Sequence, residues 1–148
     1  IQGEKMSSQI PIILASHGPF AQGLLECAEM LIGSQEDISV ISIQRESNIN
    51  EVKKHLFETY QHVNKGNGVL ILVDLLGGSP CNLASELVIT QNDVVLYCGI
   101  NVPTFLEILS NRDLPLHELH QVINDVFPDS CINVGEQLKP LAQNDSEL

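Results

Sequence analysis

Apolar positions fall along the chain in two alternating patterns. Short unbroken runs rich in β-branched residues read as strands buried on both faces, and stretches with apolar residues three and four apart read as amphipathic helices. The first run is Ile10-Pro-Ile-Ile-Leu-Ala-Ser16, where Pro11 is tolerated because the start of a strand need not donate to a ladder. Pro19 to Ile32 follows, with Leu24, Cys27, Ala28, Leu31 and Ile32 at helical spacing and Gly33 as a stop. Ile38 to Ile43 predicts a second strand. Asn50 to Val63 predicts a second helix, with Val52, Leu56, Tyr60 and Val63 along one stripe. Gly68-Val-Leu-Ile-Leu-Val-Asp74 is the clearest buried strand. After a glycine turn, Ser79 suits an N-cap and Pro80 the first helical position, and Leu83, Ala84, Leu87 and Val88 continue that helix.

Val94 to Ile100 predicts a fourth strand, Val102-Pro103 opens a helix through Leu109, and Pro115 to Val126 forms a last amphipathic helix. Cys131-Ile-Asn-Val134 predicts a short closing strand. Strand and helix alternate four times, which predicts an open doubly wound α/β domain with a mainly parallel sheet and right-handed crossovers. The domain is expected over residues 10–138, with a polar N-terminal extension at 1–9 and a mobile polar tail at 139–148.

Composition narrows the function. A chain of 148 residues fits one domain, and 43% apolar residues exclude wholesale disorder. Seven Lys+Arg against 19 Asp+Glu give a net charge of −12, which argues against a nucleic-acid partner. No stretch approaches the roughly 20 apolar residues of a membrane span, and none resembles a secretory signal, so a soluble, cytoplasmic protein is expected. Cys27, Cys81, Cys98 and Cys131 form no C-x-x-C pair and no zinc pattern, and read as reduced, mostly buried structural thiols.

In open parallel sheets, ligands bind beyond the carboxyl ends of the strands, where strand order reverses. The first strand ends in Ser16-His17-Gly18, the third in Asp74-Leu-Leu-Gly77-Gly78-Ser79, and the fourth in Gly99-Ile-Asn101. If the first and third strands are neighbours, His17 and Asp74 meet, with Ser79 and the opening amides of its helix facing them. A histidine at a strand end is commonly just a loop residue, but small neighbours on both sides leave this ring open. Asp74 equally suits a turn cap. Should it accept a hydrogen bond from Nδ1–H of His17, it fixes the tautomer that leaves Nε2 as a nucleophile. Gly77-Gly78 is most simply a tight turn, and before a helix N-terminus it can also cradle an anion with backbone amides.

These parts compose a phosphoryl site. Neither G-x-x-x-x-G-K-[ST] nor G-x-G-x-x-G is present, so neither ATP nor a dinucleotide is indicated. The nucleophile elbow G-x-S-x-G is also absent, which disfavours a serine hydrolase. His55, His62, His117 and His120 fall within predicted helices, and the His117/His120 pair reads as solvent-facing rather than as a metal site.

Ile-Leu-Ala-Ser-His17-Gly, Ala-Glu-Met-Leu-Ile-Gly33, Val-Leu-Ile-Leu-Val-Asp74-Leu-Leu-Gly-Gly-Ser-Pro80-Cys-Asn82 and Gly99-Ile-Asn-Val-Pro103 together resemble the mannose-family enzyme IIA of the bacterial phosphoenolpyruvate-dependent sugar phosphotransferase system (PTS). The resemblance runs from about Ile10 to Leu138. It implies phosphorylation of His17 at Nε2, Asp74 as its hydrogen-bond partner, and Ser79 with Gly77 and Gly78 around the phosphoryl group. It implies no metal or other cofactor. It further implies a core strand order 2-1-3-4 and a homodimer in which an antiparallel strand, here Cys131 to Val134, is exchanged. The donor would be the phosphocarrier HPr, the acceptor enzyme IIB, and the indirect partner the membrane IIC/IID permease. Cys81 departs from the aromatic residue often found after Ser-Pro in the family, for which a packing change is expected. The phosphocarrier subunit of dihydroxyacetone kinase ranks second, and a non-catalytic regulatory domain of the same fold third.

Overall fold

The computed structural model describes residues 9–147, with side chains as far as residue 142, so the extension expected at 1–9 lies outside the described residues except for Gln9. The apolar runs form β1 (Ile12–His17), β2 (Ile38–Ile43), β3 (Val69–Val73) and β4 (Val94–Cys98). The amphipathic stretches form α1 (Phe20–Ile32), α2 (Ile49–Val63), α3 (Ser79–Thr90), α4 (Val102–Leu109) and α5 (Leu116–Val126). All four strands are parallel, in the order β2-β1-β3-β4.

Alternation along the strands divides the core into two layers. Ile12, Leu14, Leu70 and Leu72 face one side, against Leu24 and Ala28 of α1, Phe105 and Ile108 of α4, and Leu119 of α5. Ile13, Ala15, Ile71 and Val73 face the other, against Leu56 and Tyr60 of α2 and Ala84 and Leu87 of α3. The central strands β1 and β3 are therefore apolar at nearly every position, because each side chain enters one layer or the other. Burial of each Ile or Leu there contributes about 1.5–3 kcal/mol. The helix after β1 covers one face and the helices after β2 and β3 cover the other. The winding thus reverses between β1 and β3, and a crevice opens at their carboxyl ends.

A buried cation closes the opposite end of the sheet. Arg112 is 3% exposed, and its guanidinium donates to the carbonyls of Ile10 (3.0 Å from Nε, 2.8 Å from Nη2), Glu36 (2.6 Å) and Asp37 (2.8 Å). One side chain thereby ties the entry of β1 to the turn before β2, where Asp37 has φ of 58°. Arg112→Leu is expected to lower stability by about 3 kcal/mol, since the buried carbonyls lose charged donors that a leucine cannot replace. Urea unfolding checks this; a midpoint within experimental scatter of the parent would show that the clamp is dispensable.

The C-terminal segment departs from expectation. Residues 131–133 form no strand, and Val134–Glu147 is a helix, α6, preceded by a single 3-10 turn at Phe127–Asp129. The two β-branched residues Ile132 and Val134 suggested a strand, but Val134, Leu138 and Leu141 recur at i, i+4 and i+7, the helical stripe. Residues 139–147 of the expected polar tail continue this helix, with Pro140 inside it. Val134, Leu138 and Leu141 remain 56%, 56% and 59% exposed, so this stripe is not buried within the chain.

Candidate functional site

His17 is the last residue of β1, and Asp74 directly follows β3. Since these strands are neighbours, the two residues meet at the crevice. Asp74 Oδ2 accepts the His17 backbone N–H at 2.9 Å and lies 2.9 Å from His17 Nδ1, while Oδ1 accepts the Leu75 N–H at 2.9 Å. Burial pulls the Asp74 carboxyl upward. The backbone N–H of His17, its imidazole and the Leu75 N–H outweigh that and hold it below the usual carboxylate range. At neutral pH Asp74 is thus an acceptor only, and Nδ1 of His17 carries the proton. In the neutral imidazole Nε2 then holds the lone pair, on a ring whose side chain is 49% exposed.

The turn from Asp74 to α3 passes directly over this ring. Gly77 has φ of +91°, a left-handed conformation that favours glycine. Gly78 has an ordinary extended backbone (φ −87°, ψ 175°), but a Cβ built on it would stand 2.5 Å from His17 Cε1 and 2.9 Å from Nε2. The imidazole occupies the space where any other residue would place its side chain. Gly78, rather than Ser79, is the N-cap of α3, and its carbonyl accepts the Asn82 N–H at 2.9 Å. Ser79 and Pro80 are consequently the first and second helical residues, one position later than expected. Its hydroxyl is not used in capping, and Ser79 lines a cavity of about 610 Å³ with His17, Gly18, Gln44, Arg45 and Ser47.

That cavity brings in a residue the sequence reading passed over. Arg45 lies just after β2 and is exposed; a lone cation one turn beyond a strand end, in a chain with only seven Lys+Arg, is the signal that could have found it. The start of α3, the Ser79 hydroxyl and the Arg45 side chain are groups that can favour an anion, and Ser79 and Arg45 share this cavity with His17.

Other polar residues at strand ends serve the fold. Ser16 is fully buried, its Oγ accepting the Ala21 N–H at 2.8 Å at the start of α1. Asn101 caps α4 through the Thr104 N–H at 3.1 Å and donates to Ser130 Oγ at 2.6 Å. His55 and His62 are exposed on α2. His117 and His120 do not act together: His120 bonds the Tyr97 hydroxyl and Asn124, whereas His117 lies 3.8 Å from Glu118. Among the described residues, no group of three or more His, Cys, Asp or Glu could hold a metal ion.

Known proteins are similar to this chain in sequence and in fold. The sequence profile of EIIA-man, described as the PTS system fructose IIA component, matches residues 11–127. The PTS system mannose-specific EIIAB component of Escherichia coli (strain K12) is 36% identical over 104 residues, covering 70% of this chain and 32% of that protein. The chain therefore spans about a third of that relative's length. The PTS system fructose-specific EIIA component of Bacillus subtilis (strain 168) is 27% identical over 142 residues, covering 93% of this chain and 97% of that protein. The crystal structure of the PTS IIA protein associated with the fucose utilization operon from Streptococcus pneumoniae superposes with a TM-score of 0.81 at 29% identity, over 90% of this chain and 98% of that one. The profile runs from the start of the sheet to the end of the helical layer that covers it, and this chain belongs to the EIIA-man family of PTS IIA components.

Proposed function

We propose that this chain is a phosphohistidine carrier of a sugar phosphotransferase system, taking a phosphoryl group from HPr onto His17 and passing it to enzyme IIB. The observation that carries this reading is the 2.9 Å contact between Asp74 and Nδ1, which leaves Nε2 as the free nitrogen of a half-exposed ring. In the transfer, the Nε2 lone pair attacks phosphorus in line as the bond from phosphorus to the donor nitrogen breaks. The transition state is loose, so positioning and charge stabilisation make up most of the catalysis. Nδ1–H stays with Asp74, whose carboxylate offsets the positive charge gained by the ring. The Ser79 hydroxyl, the opening amides of α3 and Arg45 take the phosphoryl oxygens. One phosphorus–nitrogen bond replaces another, so the step is close to balanced and runs onward to enzyme IIB as easily as inward. The sugar itself would be chosen by enzyme IIB and the membrane IIC/IID permease. No helix among the described residues is long and apolar enough to cross a membrane.

Asp74→Asn keeps the shape but loses the charge that supports a cationic ring. Transfer from HPr is expected to slow roughly tenfold to a thousandfold, the range of a positioned acid–base partner, with the fold intact. Rapid-quench measurement of phosphoryl transfer checks this, and unchanged rates in both directions would reduce Asp74 to a turn residue.

The carrier is further read as a homodimer. A four-stranded sheet leaves the edges of β2 and β4 unpaired, and the exposed apolar stripe of α6, with Ile132 at 50% exposure before it, is left for a second subunit to cover. Exchange of residues 131–134 as a strand requires those residues to leave their present coil and the first turn of α6. Truncation before Asp129 is expected to give a monomer by light scattering. A truncated chain that remains a well-behaved dimer would place the interface elsewhere.

A further inference from the structure

Cys81 and Cys98 share no sequence motif, yet their Sγ atoms lie 3.3 Å apart, in hydrogen-bond contact. The fold has two reasons for bringing them together. Cys98 ends β4 and pairs in register with Val73, the residue before Asp74. Cys81 sits in the first turn of α3, which packs over the same face of the sheet. The sulfur pair therefore lies beside the end of β3, where the Asp74–Ser79 turn begins. A disulfide needs sulfurs about 2.0 Å apart, so closure from 3.3 Å asks for only about 1.3 Å of movement. We propose that Cys81 and Cys98 are a redox-modification site, joined by hydrogen peroxide into a reversible disulfide that slows phosphoryl transfer at His17.

The two thiols differ in acidity as such a pair requires, with Cys81 the more buried at 4% exposure. The Gly77 backbone N–H lowers the Cys81 thiol, while burial and then its bond with Cys81 push Cys98 up to about 11. Cys81 is the nucleophile and Cys98 the resolving thiol. The Cys81 thiolate attacks one peroxide oxygen, the O–O bond breaks, hydroxide leaves, and Cys81 becomes a sulfenic acid. Cys98 then attacks that sulfur; its proton and the sulfenic hydroxyl depart as water as the S–S bond forms. In total two thiols lose two electrons and two protons, and one peroxide becomes two waters. Cys27, half-buried, and Cys131, exposed, have no sulfur neighbour among the described residues and serve as internal controls. A disulfide in a reducing compartment is transient, which suits a switch rather than a staple.

The effect on transfer rests on the phosphocarrier reading. Gly78 stands against the His17 ring, so drawing the first turn of α3 toward β4 displaces the wall of the phosphoryl site. A displacement on the order of 1 Å can cost about a hundredfold in rate. At least a tenfold slowing is expected, allowing for movement absorbed by the two side chains.

The test uses the full chain carrying Cys27→Ser and Cys131→Ser, treated with stoichiometric hydrogen peroxide. No Lys or Arg lies between Cys81 and Cys98, but Glu86 does, so a glutamate-specific protease separates the two cysteines where trypsin cannot. Two peptides joined until dithiothreitol is added, and a dimedone-trapped sulfenic acid at Cys81 in the further variant Cys98→Ser, are the expected results. Thiols that stay reduced, or that oxidise separately to sulfinic acids, overturn the site. Oxidised protein should then accept phosphoryl groups from HPr at least tenfold more slowly, with recovery in dithiothreitol. A mapped disulfide with an unchanged rate overturns the switch. Reduced protein that accepts no phosphoryl group overturns the switch together with the phosphocarrier reading, and the peptide map alone then decides the disulfide.

Discussion

His17→Gln is expected to abolish phosphoryl acceptance. With phosphoenolpyruvate, enzyme I and HPr supplied, the parent chain should gain an acid-labile, base-stable adduct, and the variant none. Glutamine preserves polarity and much of the volume but has no nitrogen lone pair able to attack phosphorus. The fold should be untouched, because the side chain is half-exposed and the His17 backbone N–H keeps its own bond to Asp74 across the ends of β1 and β3. A variant that still labels would move the chemistry to another residue, with Ser79 the first to examine.

Gly78→Ala is expected to slow transfer about a thousandfold while lowering stability by no more than about 1 kcal/mol, the usual loss when alanine replaces glycine at an N-cap. The backbone at Gly78 is extended, with φ of −87°, so alanine is free of strain there. The loss of activity falls on His17: a methyl group 2.5 Å from Cε1 must turn the ring away, which breaks the bond to Asp74 and misaims Nε2 at once. Gly77→Ala supplies the contrast. Nothing lies within 4 Å of a Cβ at Gly77, but its φ of +91° disfavours alanine, so that variant should lose about 1–2 kcal/mol of stability and less activity. Thermal unfolding and transfer rates measured on both variants separate the two effects. If Gly78→Ala transfers at the parent rate, the ring has room that the static geometry denies it.

Much of the architecture was legible because the central strands are buried twice. A strand such as Val69–Val73 has no polar face and stands out as an unbroken apolar run, whereas edge strand β2 carries Ser39 and Ser42 and is marked less sharply. The approach of His17 to Asp74 followed from placing two strand ends side by side, but that adjacency came from the family resemblance, since alternation alone does not order strands. The clash volume at Gly78 was invisible, because a glycine in a turn has several possible reasons to be there. Arg112 was missed for a related reason: an arginine reads as surface unless its partners are known, and its partners are carbonyls from Ile10 to Asp37, far away in sequence. The C-terminal stripe reads as strand plus tail because Ile132 and Val134 are β-branched and the residues from Lys139 are mostly polar, while three leucine and valine positions at helical spacing favour a helix. The Cys81–Cys98 contact had no sequence signal, because sulfur proximity here depends on the register of β4 against β3.

The central claim is that the phosphoryl group rides on Nε2 of His17 while Asp74 holds Nδ1. The most direct measurement is a long-range proton–nitrogen NMR correlation of the imidazoles in protein phosphorylated by HPr. The account predicts a single phosphorylated histidine, His17, with phosphorus coupled to Nε2 and a proton retained on Nδ1. Phosphorus on Nδ1, on another histidine or on Ser79 would contradict it.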